Sequence, residues 1–192
     1  MMPAIPKTKM TVEEYLEFDR KSEERYEYFD GEAYSMSGVS RNHDQIQVNL
    51  TITLGGLARN RGCRVFSSDM RIKVPSMVTY RYPDLTAMCG QAVFEEIGGI
   101  DILTNPNLIV EVLSDSTERF DRGTKFTHYK SIASFTEYLL VAQDRPHVTQ
   151  FIRHENGFWL QTEFNSLDED FHLRSVDCNL TMREVYQDIV FE

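Results

Sequence analysis

Apolar residues recur along this chain in two rhythms, and those rhythms divide it into elements. Thr11-Val-Glu-Glu14 has the form of a capping box, and Val12, Tyr15, Leu16 and Phe18 follow at helical spacing. The spacing predicts a short helix from Val12 to about Lys21. RYEYFDGEAYSM alternates around Asp30-Gly31 and reads as a hairpin, one register of which sets Glu27 and Glu32 on the same sheet face. Between His43 and Ala58, the residues Ile46, Leu50, Thr53, Leu54 and Leu57 repeat at helical intervals. This predicts a long helix beginning near Asn42, with Asn42 as its N-cap and Gly62 beyond its end.

CRVFSSDMRIKVP alternates loosely and predicts one or two strands, after which Arg81-Tyr-Pro-Asp84 leads into the strand LTAM. Pro83 lacks a backbone donor and suits the start of a strand, which sets Asp84 at a strand mouth. Gln91 to Pro106 reads as mostly loop, with Gly98-Gly99 in its middle. NLIVEVL is a buried strand, closed by the polar run Ser114 to Thr117. Asp121 suits the N-cap of a helix running to about Ala133, with Phe126, Tyr129, Ile132 and Ala133 on its apolar side. EYLLVA is the next strand, and HVTQFIRHENGFWLQTEF is a hairpin around Asn156-Gly157. Leu173 to Val176 reads as an edge strand, and Thr181-Met-Arg-Glu184 caps a final short helix. This order predicts an α+β or mixed α/β domain around a mixed sheet.

Composition narrows the choice. A chain of 192 residues, 41% apolar and 11% aromatic, can bury a sizeable core. Cys63, Cys89 and Cys178 form an odd set without CxxC spacing, which supports neither a disulfide framework nor a zinc site and suits a reducing cytoplasm. MMPAIPKTKM lacks the apolar core of a signal peptide, and no apolar run approaches the ~20 residues that span a bilayer. No membrane association is expected. The net charge of −10 weighs against a protein that simply coats nucleic acid. Yet Arg59, Arg61, Arg64, Arg71, Lys73 and Arg81 fall in one stretch with Asp69 as its only acid. That stretch suits a local nucleic-acid surface and equally suits ordinary solvated arginines.

The chemistry centres on Glu111. In LIVEVL, Leu108, Val110 and Val112 face one way, and Ile109, Glu111 and Leu113 the other. An unpaired carboxylate inside a sheet costs several kcal/mol, so it carries a partner, a metal or a proton. Asp84 and Lys125 are the residues expected to meet it. Two acids and a lysine are what metal-dependent phosphodiester cleavage needs: the carboxylates hold Mg²⁺ or Mn²⁺, and the ammonium orients the attacking water. Glu27, His43, Gln45 and Tyr129 are accessory candidates. The alternative for Glu111 is a structural salt bridge with Lys125 or an arginine.

The PD of RYPD followed by a strand-borne Glu resembles the PD-(D/E)xK nuclease superfamily. The wider frame of YEYFDGE, the His43 helix, RYPD, PNLIVEVLSDST, DRGTKFTHY and EYLLV resembles the Uma-two group of restriction-endonuclease-like proteins, from roughly Met10 to Trp159. That resemblance implies a restriction-endonuclease-like mixed sheet flanked by helices, with added hairpins. It gives one domain over 1–192, with a core at about 10–160 and a strand-and-helix extension at 161–192. It also implies a divalent metal on Asp84 and Glu111 and DNA as the substrate; a homodimer is expected on separate grounds, because cutting both strands takes two sites. The superfamily's lysine stands two residues after the acid, where this chain has Leu113. The resemblance therefore passes the role to Lys125 through the DRxxK block. The same departure motivates an alternative, a non-catalytic nucleic-acid-binding, regulatory or oligomeric module that kept the nuclease fold.

Overall fold

Both halves of the first predicted capping box form: the Thr11 side chain accepts from the Glu14 amide and Glu14 returns to Thr11, starting α1 (Val12–Lys21). The computed structural model describes residues 9–36, 38–76 and 79–191, so residues 1–8, part of the stretch read for a signal peptide, lie outside it. The first hairpin follows as β1 (Tyr26–Phe29) and β2 (Glu32–Ser35), turning through Asp30 and Gly31 at φ 48° and 82°. Phe29 pairs with Glu32 and Glu27 with Tyr34, which sets Glu27 and Glu32 on one face.

The long helix α2 (Arg41–Arg59) starts one residue earlier than the pattern predicted, and its N-cap is Ser40 rather than Asn42. Ser40 Oγ accepts from the His43 amide at 3.1 Å, while the Asn42 side chain donates instead to the carbonyls of Gln143 and Val190. Ser40→Ala is therefore expected to lower stability by about 1 kcal/mol, read from the urea midpoint at unchanged slope.

CRVFSSDMRIKVP divides into β3 (Cys63–Ser67) and β4 (Ile72–Val74), followed by β5 (Thr79–Arg81), which the pattern did not announce, and β6 (Leu85–Cys89). The stretch read as loop contains a second tight hairpin, β7 (Phe94–Ile97) and β8 (Ile100–Leu103). Gly98 and Gly99 both take positive φ, 59° and 78°, as a two-residue turn matched to strand twist requires. The strands β9 (Leu108–Leu113), β10 (Glu137–Ala142), β11 (Val148–Arg153) and β12 (Trp159–Phe164) follow the predicted pattern. Between β9 and β10 runs a helical segment of α3 (Glu118–Phe120), a π turn (Asp121–Lys125) and α4 (Phe126–Tyr129). Asp121 is not its cap: it sits inside the segment at φ −64°, ψ −42°, and the helix ends at Tyr129, short of Ala133. Near the C-terminus β13 (Asp170–Leu173) pairs with β14 (Cys178–Thr181), so Leu173 to Val176 is the end of one strand and a turn, not an edge strand. Thr181 then caps α5 (Met182–Val185) with the expected box.

The strands form two six-stranded mixed sheets, ordered β2-β1-β5-β4-β8-β7 and β12-β11-β10-β9-β6-β3, with β13-β14 apart. In the second sheet β9 lies centrally, parallel to β10 and antiparallel to β6. Its alternation holds. Leu108, Val110 and Val112 pack with Ile46, Leu50 and Leu54 of α2 and with Leu173 and Leu180 of the C-terminal strands. Ile109 and Leu113 pack on the opposite side with Phe126, Tyr129, Ile132 and Phe135. Burying both faces is what makes LIVEVL a continuous apolar run, and it leaves Glu111 nowhere to meet bulk water. Cys63 and Cys89 stand directly opposite in the β3–β6 ladder and are joined as a disulfide, contrary to the expectation of free thiols, while Cys178 is free and buried.

Candidate active site

Three elements bring the carboxylates together. The β6–β9 ladder pairs Leu85 with Val110, and Asp84, just before β6, lies close enough to Glu111 for its charge to raise that carboxyl. Asp84 is held by the Val112 amide, which donates to Oδ2 at 2.7 Å, and by His43 Nε2, 3.0 Å from Oδ1. Gln47 donates to the Asp84 carbonyl at 2.7 Å. The first turns of α2 thus grip the mouth of β6.

Glu111 is 3% exposed. Its Oε1 accepts from the Tyr129 hydroxyl at 2.7 Å and lies 2.9 Å from Lys125 Nζ. The π turn is the local reason Lys125 reaches it: the widened turn buries Asp121 and Lys125 together, with Nζ 3.3 Å from Asp121 Oδ1. Such turns are rare and concentrate at functional sites. Tyr138 on β10 anchors this one, its hydroxyl donating to the Asp121 carbonyl at 3.2 Å. From β1, Glu27 approaches on the other side, with Oε1 3.8 Å from Lys125 Nζ and Oε2 taken by the buried guanidinium of Arg81.

The electrostatics follow from this crowding. Burial pushes the Glu111 carboxyl up to about 8, opposed by Lys125 and reinforced by the carboxylates of Asp121 and Asp84. Burial likewise raises Asp121, against the pull of Lys125. Desolvation alone would lower the Lys125 ammonium, but Glu111, Asp121 and Glu27 hold it well above the ordinary lysine range. Desolvation would raise Glu27, and Arg81 with Lys125 keeps it below the ordinary glutamate range instead. Three acids, Glu27, Glu111 and Asp121, thus face the fixed cations Lys125 and Arg81, with Asp84 near Glu111.

The donor set is limited. Among the described residues no three His, Cys, Asp or Glu side chains are grouped to hold a metal ion. Asp84 and Glu111 are oxygen donors of the kind that a hard ion such as Mg²⁺ takes. Glu27, committed to Arg81, is not arranged as a third ligand.

Of the residues singled out from the sequence, Asp84, Glu111, Lys125, Glu27, His43 and Tyr129 converge here. Gln45 does not; its side chain donates to Asn49 at 2.9 Å. Gln47 takes the place expected of it, being four residues after His43 and so on the same helix face. Arg81 and Asp121 went unrecognised. Asp121 and Lys125 stand at i,i+4, the spacing of a helical ion pair, which was the available signal. Arg81 offered none beyond its basic neighbours.

A fold with this central sheet and flanking helices is nuclease-like. The structure is similar to the crystal structure of a "putative nuclease belonging to DUF820" from Anabaena variabilis, with TM-score 0.76 and 18% identity, covering 94% of this chain and 99% of that one. Residues 12–183 match the Uma2 family model, described as "Putative restriction endonuclease", and the chain belongs to that family. Two relatives from Synechocystis sp. carry no assigned function: uncharacterized protein slr1290, 31% identical over 98% of this chain and 97% of its own length, and uncharacterized protein sll1609, 34% identical over 84% and 92%. Among the described residues no helix is long and apolar enough to cross a membrane.

Proposed function

We propose that this protein is a metal-dependent endonuclease that hydrolyses DNA phosphodiester bonds as a homodimer. The observation that carries the reading is the buried Glu111, with Lys125 Nζ 2.9 Å away and the Asp84 carboxylate close enough to raise it. Asp84 and Glu111 would hold Mg²⁺ or Mn²⁺. When bound, such an ion lowers the pKa of water and stabilises the leaving oxygen. The chain supplies the rest. Lys125, kept charged by its acidic neighbours, orients the attacking water and offsets charge as it develops on phosphate. Tyr129 fixes Glu111, and His43 with the Val112 amide fixes Asp84, so neither carboxylate reorients during the reaction.

The test is incubation of purified protein with plasmid DNA and Mg²⁺ or Mn²⁺, with a chelator control. Nicking or linearisation that needs the ion and disappears in both Asp84→Ala and Glu111→Ala is the expected result. Activity surviving in both variants overturns it. The Glu111–Lys125 ion pair favours the rival, a non-catalytic binding or regulatory module in which the pair is structural. DNA binding indifferent to the ion, with no cleavage in any ion, would establish that reading instead.

A further inference from the structure

Among the described residues, two buried oxygens of this cluster lack hydrogen-bond partners: Glu27 Oε1 and Asp121 Oδ1. Buried acceptors without donors cost free energy and call for a reason. Both face the same group, the Lys125 ammonium, at 3.8 and 3.3 Å. That ammonium has three protons and is drawn closest to Glu111. We propose that Glu27, held in place by Arg81, is a second berth for Lys125, which the ammonium takes when Glu111 gives its carboxylate to the ion.

The inference rests on Asp84 and Glu111 being ion ligands. Arg81 is what makes the berth rigid. Its residue is 2% exposed, its guanidinium donates to Glu27 Oε2, and it lies between the rings of Phe29 and Phe120, 5.5 and 5.1 Å from their centroids. Glu27 is therefore fixed through one oxygen and open through the other. A flexible lysine stem closes a gap of this size by a change of rotamer, whereas Glu111 on the central strand cannot follow it. Without the berth, an ion arriving at Glu111 would strand a buried ammonium beside a divalent charge. With it, Lys125 stays charged and close to the reacting phosphate. Glu27 and Arg81 are positioning residues in this account, and neither touches substrate.

Isothermal titration with Mn²⁺ alone tests the proposal without reference to cleavage. Glu27→Gln is expected to weaken Mn²⁺ binding about tenfold in the wild-type background and less than about twofold in Lys125→Met, because a berth without an occupant does nothing. Equal weakening in both backgrounds overturns the proposal, since Glu27 would then act through its charge alone. Mn²⁺ binding lost in Asp84→Asn but unaltered by Glu27→Gln overturns the berth and leaves the two-carboxylate site standing. No Mn²⁺ binding by the wild type overturns both. Should Lys125→Met fail to fold, a crystal of the wild type soaked in Mn²⁺ decides: Lys125 Nζ within hydrogen-bond distance of Glu27 Oε1 supports the berth, and Nζ still on Glu111 refutes it.

Discussion

Lys125→Met is expected to lower the stability of the fold by about 3–5 kcal/mol at pH 8.5, and by much less at pH 5.5. Methionine keeps most of the length and volume of the stem, so packing changes little and the loss is electrostatic. Lys125 is buried against Glu111, Asp121 and Glu27. Deleting its charge leaves Glu111 with Tyr129 as its donor and leaves Asp121 facing other acids. Both carboxyls are already raised by burial, and losing the ammonium raises them further. A carboxyl whose folded pKa exceeds its unfolded one contributes stability that is full below the unfolded pKa and is lost as pH rises through the folded pKa. In the variant that window widens upward, so the deficit grows from mildly acidic pH to beyond 8. Urea unfolding at the two pH values measures it. Adding Glu111→Gln to Lys125→Met should recover part of the loss, because the amide does not ionise. A deficit under about 1 kcal/mol, or one independent of pH, would show that the lysine is not the counterion of the cluster.

The centre of this site was legible from sequence because it breaks a pattern. Glu111 is the one charge in a six-residue strand whose every position is buried, and its neighbours on the face followed from strand alternation alone. Asp84 was legible through Pro83, which fixes where β6 can begin. What escaped depends on backbone detail that periodicity does not encode. The π turn at Asp121 inserts a widened loop into a helical run, and residue spacing reads the same with or without it. That is why Asp121 looks like a cap and is instead part of the charge cluster. Arg81 belongs to a three-residue strand, too short to show alternation. The Gly98-Gly99 hairpin was hidden differently: β7 and β8 expose much of their length, so acids replace the apolar half of the rhythm. The Cys63–Cys89 pairing depends on the β3–β6 register, which no local pattern specifies.

Mn²⁺ affinity is expected to rise about tenfold per pH unit between roughly pH 6 and 8 and to level off above that. The ion needs Glu111 as a carboxylate, and burial holds that carboxyl at about 8. Below that pH a proton must leave before the ion can bind, so the two compete one for one. Above it the competition ends. Glu111→Gln should abolish the slope and most of the affinity together. Asp84→Asn should weaken binding while keeping much of the slope, because Glu111 still has to ionise; removing the Asp84 charge shifts its onset slightly downward. Titrations at pH 7 in buffers of different ionisation enthalpy provide a second reading, with close to one proton released per ion bound. A slope that survives Glu111→Gln, or binding at pH 7 without proton release, would place the ion elsewhere. Cleavage rates in limiting Mn²⁺ should follow the same rise.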